Sequence, residues 1–253
     1  MTALLQLASV SVRFGGLRAL SDVSFAMSSG EIVAVIGPNG AGKTSLFNVI
    51  TGYVLPQTGT ISLSGRRIDG LTPHAIAALG VRRTFQNGGL FADLSVLENV
   101  MAGLHARTGG SFAARALGFP GARRQEREAI AEAMRLLDIF GIRHLAGQPG
   151  GELSGGQQRM VEIVRALATD PPLLLLDEPA VGLSPVARGQ LSATIRRLAG
   201  EGLGILLIEH AIELVMSVAD RILVLNYGQA IADGPPEAIR ANKQVLEAYL
   251  GHG

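Results

Sequence analysis

The chain has 253 residues, 47% hydrophobic and 17% charged, a composition that supports a full core and excludes disordered and fibrous classes. Lys and Arg number 22 against 21 Asp and Glu, so the basic excess of a nucleic-acid coat is missing and we expect no nucleic-acid partner. Cysteine is absent, which excludes disulfides, thiolate metal sites and a catalytic thiol. No secretory signal and no apolar run of the ~20 residues that span a membrane are present, so we expect a cytoplasmic protein.

The first part of the chain predicts strands followed by a strand, a loop and a helix. Apolar and polar residues alternate over 10–14 and again over 23–27, which predicts an antiparallel sheet. A nearly continuous apolar strand is predicted over 31–36, a glycine-rich loop over 37–42 and a helix over 43–51.

The later part of the chain alternates strands and helices, which predicts a mostly parallel sheet covered on both faces. The predicted strands are 61–63, 173–176, 204–208 and 222–225, and the predicted helices are 186–199 and 211–219. From Val96 to Ala168 the spacing is helical, without a strand, and indicates a helical insertion. Within it, Gly109 to Arg124 is rich in Gly, Ala and Arg and is predicted to be a mobile surface loop.

A phosphate-binding motif follows the predicted strand that ends at Ile36. Residues 37–44 read GPNGAGKT and match G-x-x-x-x-G-K-[ST] in full, between a buried strand and a helix start, which disfavours an ordinary glycine-rich turn. Backbone N–H groups can converge on phosphate oxygens, Lys43 can reach the β and γ phosphates, and Thr44 can offer its hydroxyl to Mg²⁺. The predicted nucleotide-binding residues here are Gly37, Pro38, Asn39, Gly40, Ala41, Gly42, Lys43, Thr44 and Ser45.

Two carboxylates follow the leucine run of a second motif, LLLLDEP at 173–179. A buried strand that ends in Asp177 and Glu178 brings both to the carboxyl edge of the sheet, where ligands bind in α/β folds. Asp177 can hold Mg²⁺, and Glu178 can orient or deprotonate an attacking water. Taken alone, a strand that ends in Asp-Glu-Pro is more often just a polar loop; the phosphate loop upstream favours the functional interpretation.

A third motif, LSGGQ at 153–157, precedes an amphipathic helical run. Taken alone, Ser154 is explained as an N-cap with two flexible glycines behind it. Beside the other motifs, Ser154, Gly155, Gly156 and Gln157 become a second phosphate-reading surface at a helix N-terminus.

In this order, GPNGAGKT, LSGGQ and LLLLDEP resemble the ATP-binding subunit of an ABC transporter, and the resemblance covers essentially the whole chain. It implies an α/β fold: a P-loop NTPase with a RecA-like core, an N-terminal antiparallel β subdomain and an α-helical insertion subdomain. The whole of 1–253 would be one ABC ATPase domain, divided into 1–86, 87–155 and 156–253. It also implies ATP and Mg²⁺ as ligands and a dimer in which LSGGQ serves the partner's nucleotide.

The resemblance assigns three further residues. Phe14 matches the adenine-stacking aromatic, Gln86 the glutamine that touches Mg²⁺ and water, and His210 the histidine that contacts the γ-phosphate and helps hold Glu178. Considered individually, the favoured interpretations are an ordinary core aromatic for Phe14, a solvated loop residue for Gln86 and a locally satisfied helix-terminal histidine for His210; only their positions relative to the motifs overturn these. The predicted catalytic set is Glu178, His210, Gln86 and Lys43, and the predicted metal ligands are Thr44, Gln86 and Asp177.

One position departs from the family pattern. After DEP, the residues Gly182 and Leu183 are followed by Ser184, where the family usually has Asp or Asn. Serine keeps a hydrogen-bonding group but lacks charge and reach, which puts communication between the two ATP sites in doubt at this position.

The stretches 80–105 and 207–239 and the ending VLEAYLG are similar to the Liv-type subfamily, the ATPases of branched-chain amino-acid importers. Related ATPases serve urea and amide uptake or lipopolysaccharide export. Because an ATPase subunit contacts no solute, the substrate is inferred only from the similarity to these subfamilies. The resemblance implies membrane permease subunits, a second ABC ATPase subunit in a heterodimer or homodimer, and indirectly a solute-binding protein. The chain would then lie peripherally at the cytoplasmic face of the membrane.

Two other classes stay open. A soluble ABC ATPase usually carries two cassettes or a long coiled coil, whereas this chain has one phosphate loop and no long heptad run. A different phosphate-loop enzyme would leave LSGGQ unexplained. The apolar C-terminal run over 245–250 is expected to pack locally rather than serve a dimer.

Overall fold

The computed structural model describes residues 3–84, 89–108 and 120–250. The chain forms two compact units. We call the first, Met1–Arg83, Pro172–Glu178 and Ile195–Gly253, the strand unit, and the second, Thr84–Pro171 and Pro179–Thr194, the helical unit. The three-part subdivision expected from the sequence stays a prediction.

The strand unit contains the predicted antiparallel sheet. Its order is β2-β1-β4-β5, and its strands are β1 (Leu5–Phe14), β2 (Leu17–Met27), β4 (Thr58–Leu63) and β5 (Arg66–Arg67). β1 and β2 pair in register through Leu7 and Phe25, and both side chains are buried. Irregularities in β1 after Leu7 break the strict alternation, so that Phe14, at the end of the strand, is exposed.

A second sheet of the strand unit has the order β10-β9-β3-β8-β7-β6. Its strands are β3 (Ile32–Ile36), β6 (Val81–Arg83), β7 (Leu173–Asp177), β8 (Gly204–Ile208), β9 (Arg221–Asn226) and β10 (Gln229–Gly234). All pairs are parallel except β9 with β10. Every residue of β3, β7 and β8 is buried, as expected for strands covered on both faces. The carboxyl ends of these three strands therefore meet at one edge.

Helices occur in both units. Those of the strand unit are α1 (Lys43–Ile50), α2 (Pro73–Ala78), α7 (Ile212–Val218), α8 (Pro236–Arg240) and α9 (Lys243–Leu250). Those of the helical unit are α3 (Val96–Thr108), α4 (Pro120–Ile139) and α5 (Gly155–Leu167). α6 (Pro185–Gly200) begins in the helical unit and ends in the strand unit. Two short 3₁₀ turns lie at Arg143–Leu145 and Gly150–Glu152.

The predicted elements are found. The starts of β1 and β2 lie five and six residues before the predicted ones, every other boundary agrees to within three residues, and 204–208 is a strand with the predicted bounds. Sequence patterns missed β5, β6, β10, α2 and α8, all of which have six residues or fewer. In the described part of 96–168 no strand occurs, as predicted.

The predicted mobile loop at Gly109–Arg124 is wrong for Pro120–Arg124, which are the first residues of α4. Proline suits the first turn of a helix because its missing N–H has no intrahelical acceptor there. Residues 109–119 lie outside the described residues.

The C-terminal run packs locally only in part: Val245 and Ala248 are buried, whereas Leu246 and Tyr249 are exposed. The expectation that it does not serve a dimer stays a prediction. Val245 is buried in a small apolar cluster with Ala34, Ile222 and Ile239. Over 3–84, 89–108 and 120–250, none of the helices combines the length and the apolar character that crossing a membrane requires.

Candidate nucleotide site

The phosphate loop connects β3 to α1 in the strand unit. Gly42 precedes α1 with φ 104°, and a Cβ there would lie 2.5 Å from the backbone oxygen of Ala19. Only glycine fits this turn. The first N–H groups of α1 have no intrahelical acceptor, so the loop presents donors and the positive end of a helix to an anion.

The ammonium of Lys43 lies over this loop. Its Nζ donates to the backbone oxygens of Gly37 at 2.7 Å and Pro38 at 2.9 Å. Burial lowers the pKa of Lys43, and the carboxylates of Glu178 and Asp177 act in the opposite direction. The single cation of the motif is thus held at the loop by carbonyl dipoles and by the field of two carboxylates, the predicted catalytic Glu178 and the predicted metal ligand Asp177.

A cavity of about 300 Å³ opens beside the loop. Residues 39–45 line it together with Phe14, Glu178 and His210, while Gly37 and Pro38 contribute through their bonds to Lys43. Phe14 is 49% exposed, so its interpretation as a core aromatic is wrong. The cavity combines an aromatic face with backbone donors, a cation and hydroxyls, which suits a nucleotide.

Glu178 and His210 meet at the ends of neighbouring strands. The backbone N–H of Glu178 donates to the oxygen of Ile208 at 2.9 Å, and Nε2 of His210 lies 3.1 Å from Oε1 of Glu178. Glu178 has φ 49°, a left-handed conformation that non-glycine residues rarely adopt. The two predicted catalytic side chains are therefore in contact with each other, and the histidine has more than a local partner at a helix end.

Asp177 is buried at the end of β7, and Nη2 of Arg83 lies 2.8 Å from its Oδ2. Thr44 lines the cavity, and a carboxylate, a hydroxyl and an amide are the oxygen donors that Mg²⁺ prefers. The predicted metal ligands thus fit the ion chemically. Gln86 lies outside the described residues.

Sequence reasoning missed two residues that hold the site. Arg83 pairs with Asp177, and its Nη1 donates to Oδ1 of Asn48 at 2.6 Å. The carboxylate of Glu209, 3% exposed, accepts the N–H groups of His210 at 2.9 Å and Ala211 at 3.1 Å. For Glu209, the available signal was an acidic residue at the end of a predicted strand just before a predicted helix. For Arg83, whose strand was not predicted, the sequence offered only a pair of adjacent arginines.

The predicted signature residues lie at the start of α5 in the helical unit. Ser154 caps this helix: its Oγ accepts the N–H of Gln157 at 3.4 Å, and Oε1 of Gln157 accepts the N–H of Ser154 at 2.9 Å. Ser154 and Gly155 are exposed, whereas Gly156 is buried, and a Cβ there would lie 2.8 Å from the oxygen of Gly182. The cap prediction is confirmed, and the anion-reading role stays a prediction.

Ser184 caps the next helix of the same unit. Its Oγ accepts the N–H of Ala187 at 3.3 Å, at the start of α6. The hydroxyl at this position thus caps the helix and carries no charge.

Comparison with known families defines the class of protein. The family model described as ABC transporter matches residues 20–181, and the chain belongs to this family as an ABC ATPase. A second model, described as branched-chain amino acid ATP-binding cassette transporter, matches residues 231–253. Membership implies membrane permease partners and dimerisation.

Relatives and solved structures agree with this assignment. The chain is 44% identical over 249 residues to the high-affinity branched-chain amino acid transport ATP-binding protein BraF of Pseudomonas aeruginosa, with 98% of each chain covered. It is 42% identical over 249 residues to LivG of Escherichia coli, an ATP-binding protein of the same description, again with 98% of each covered. A crystal structure of an ABC transporter cassette in its ADP conformation superimposes with TM-score 0.85 at 31% identity, covering 99% of this chain and 100% of that one. A nucleotide-free cassette gives 0.83 at 31% identity, covering 98% of each.

Proposed function

We propose that this chain is the ATP-hydrolysing subunit that energises an importer of branched-chain amino acids. The observation that carries the proposal is the full-length similarity to two ATP-binding proteins of branched-chain amino acid transport, which extends into the separately matched C-terminal segment. The described site supports the ATPase half of the proposal. The solute is inferred from the relatives.

Binding uses the loop and the cavity. The N–H groups of 39–45 and the ammonium of Lys43 bind the phosphates, and Phe14 stacks on the adenine. Lys43 exchanges its bonds to the Gly37 and Pro38 carbonyls for bonds to phosphate oxygens. Bound Mg²⁺ supplies charge neutralisation at the phosphates, and Thr44, Asp177 and Gln86 are the residues that would hold it.

Hydrolysis uses the pair formed by Glu178 and His210. The carboxylate of Glu178 orients the attacking water and accepts its proton, while His210, 3.1 Å away, holds that carboxylate in place. Charge that develops on the γ-phosphate is stabilised by Lys43 and by His210.

We infer a dimer in which Ser154, Gly155, Gly156 and Gln157 of one subunit serve the nucleotide of the other. The exposed Ser154 and Gly155 at the N-terminus of α5 support this role. The second subunit is a related ABC ATPase in a heterodimer, and the pair attaches to permease subunits at the cytoplasmic face of the membrane. A solute-binding protein delivers the amino acid from the other side, and no nucleic acid takes part.

The test is uptake of labelled leucine by native cells that carry Glu178→Gln in this one gene. We expect leucine, isoleucine and valine uptake to fall more than about tenfold, since general-base catalysis contributes roughly 10²–10⁴-fold. Glu237→Gln, the same change at an exposed residue of α8, should leave uptake unchanged. Normal leucine uptake in cells that make the Glu178→Gln protein would contradict the proposed solute and favour urea, amides or an exported lipid.

A further inference from the structure

A second cavity of the strand unit, of about 460 Å³, lies apart from the residues assigned to nucleotide. It is enclosed by α7, α8, α9 and the end of β3, and its lining is mostly aliphatic. Ile212, Leu246 and Tyr249 line it and are 44%, 50% and 41% exposed. This concentration of large exposed apolar side chains around one concavity of ligand size is typical of a binding site.

Two opposite charges line the same cavity. Glu213 on α7 and Arg240 at the end of α8 are both exposed. Among the residues that the structure describes, neither forms an ion pair or a side-chain hydrogen bond. The cavity therefore offers one anion, one cation and an aliphatic surface, and its chemical complement is a small zwitterion with an aliphatic side chain.

The walls of this cavity continue into the nucleotide site. Ile36 lines the cavity and directly precedes Gly37 of the phosphate loop. Tyr249, which lines the cavity, is near enough to the phosphate loop for the Gly37 backbone to act on its hydroxyl: burial raises the pKa of Tyr249, and the Gly37 backbone partly offsets this. α7, another wall, begins two residues after His210. An occupant would thus contact the segments that carry both the phosphate loop and the catalytic histidine.

We propose that this cavity is a regulatory site for a free branched-chain amino acid, whose ammonium pairs with Glu213 and whose carboxylate pairs with Arg240. Naming the amino acid rests on the proposed function; the zwitterionic class rests on the cavity alone. In the same structure, Lys43 donates to the Gly37 and Pro38 carbonyls. Nucleotide phosphates compete with these carbonyls for the Lys43 ammonium. A ligand that packs against Ile36 favours this arrangement and weakens ATP binding.

The first experiment is calorimetric titration of the purified full chain with leucine. We compare it with isocaproic acid, which lacks the ammonium, and isoamylamine, which lacks the carboxylate. Leucine should bind, and each analogue should bind at least about tenfold more weakly, because each loses one charge-assisted pair. Arg240→Gln should weaken leucine binding by about the same factor. Lys243→Gln, a change of an exposed cation on α9 outside the lining, should leave it unchanged.

The second readout is linkage with nucleotide. Leucine should raise the Kd of a non-hydrolysable ATP analogue by a few-fold, and the analogue should raise the Kd of leucine by the same factor, as thermodynamic reciprocity requires. In Arg240→Gln both shifts should vanish at the same leucine concentration. A folded Arg240→Gln protein, shown by its unchanged affinity for the nucleotide analogue, keeps the comparison interpretable.

The proposal is overturned if leucine does not bind, or if isocaproic acid and isoamylamine bind as tightly as leucine. It is also overturned if Leu246→Glu dissociates a dimer of the purified chain, because a second copy would then cover this face. These failures are separable from failure of the proposed function. Leucine uptake that requires Glu178, without leucine binding here, removes the regulatory site alone. Arg240-dependent leucine binding, together with normal leucine uptake in cells that carry Glu178→Gln, removes the transport assignment alone.

Discussion

Nη2 of Arg83 lies 2.8 Å from Oδ2 of Asp177, and the two side chains are only 7% and 3% exposed. They belong to the neighbouring parallel strands β6 and β7. The guanidinium also lies 5.3 Å from the ring centroid of Phe47 and donates to Asn48. The carboxylate predicted to bind the metal is thus paired with a guanidinium that two further residues, Phe47 and Asn48, hold in place.

Replacing Arg83 by alanine should reduce the free energy of unfolding by about 3 kcal/mol, since it leaves a buried carboxylate without this partner. Urea unfolding measures the change. Arg135→Ala is the control, because it removes an ion pair whose arginine is 59% exposed and should cost less than about 1 kcal/mol. Equal losses in the two variants would contradict a structural role for the buried pair.

Glu209→Ala should lower kcat for ATP about tenfold and leave the Kd of ATP nearly unchanged, because the buried N–H groups of His210 and Ala211 lose their acceptor, at about 1–3 kcal/mol. Steady-state hydrolysis and ATP titration separate the two quantities. Glu209→Gln retains an acceptor oxygen and should recover most of kcat. If glutamine fails to rescue while the protein stays folded, the charge of Glu209 matters rather than its hydrogen bonds.

Phe14→Ala should raise the Kd of ATP by about tenfold, since stacking of a base on an aromatic ring contributes about 1–3 kcal/mol. Its exposure of 49% means that little core packing is lost with the ring. Phe14→Tyr keeps the π face and should bind ATP normally. Calorimetry checks both, and unchanged affinity in the alanine variant would remove Phe14 from the site.

Gly155→Ala and Gly156→Ala should behave differently, although they are adjacent. A Cβ at Gly155 has no neighbour within 4 Å, while one at Gly156 would meet the oxygen of Gly182 at 2.8 Å. We expect Gly156→Ala to destabilise the chain by about 1–3 kcal/mol and Gly155→Ala to change stability by less than about 1 kcal/mol. If Gly155 faces a partner's nucleotide, Gly155→Ala should still lose hydrolysis. Full activity in this stable variant would argue against that role.

Asp69→Asn should make the chain less stable near neutral pH but not in acid. Hydrogen bonds from Arg67 and from the Ile61 backbone lower the pKa of Asp69, against the opposing effect of burial. A carboxyl with a lowered pKa stabilises the fold fully above its unfolded value of 3.8, and this contribution is lost as the pH falls through the folded value. Urea midpoints of the two proteins should therefore differ at pH 7 and converge near pH 2. A constant difference across this range would contradict the linkage.

Much of the fold and site followed from the sequence because the three motifs occupy strand ends and helix starts, where pattern and chemistry coincide. The four leucines before Asp177 predict a fully buried strand, and the continuous apolar run at 204–208 does the same. β6 has three residues and ends in Arg82 and Arg83, so it shows no apolar periodicity from which a strand could be predicted. The ion pair of Arg83 with Asp177 depends on the order of the strands in the sheet, because the two residues are 94 positions apart in the sequence. Local sequence patterns do not predict that order. Phe14 continues the apolar alternation of Val10 and Val12 in the sequence, but irregular pairing of β1 ends that alternation and leaves Phe14 exposed.

The left-handed conformation of Glu178 implies that the stability of the fold and the rate of hydrolysis make opposite demands on this position. A non-glycine residue at φ 49° stores roughly 1–3 kcal/mol of backbone strain, which the two flanking strands must offset. Glycine at position 178 would release that strain while it removes the proton acceptor, so the more robust protein would be the inert one. Selection for thermal resilience alone would therefore act against the residue on which catalysis depends, and engineered stabilisation of this ATPase has to leave that one unfavourable dihedral in place.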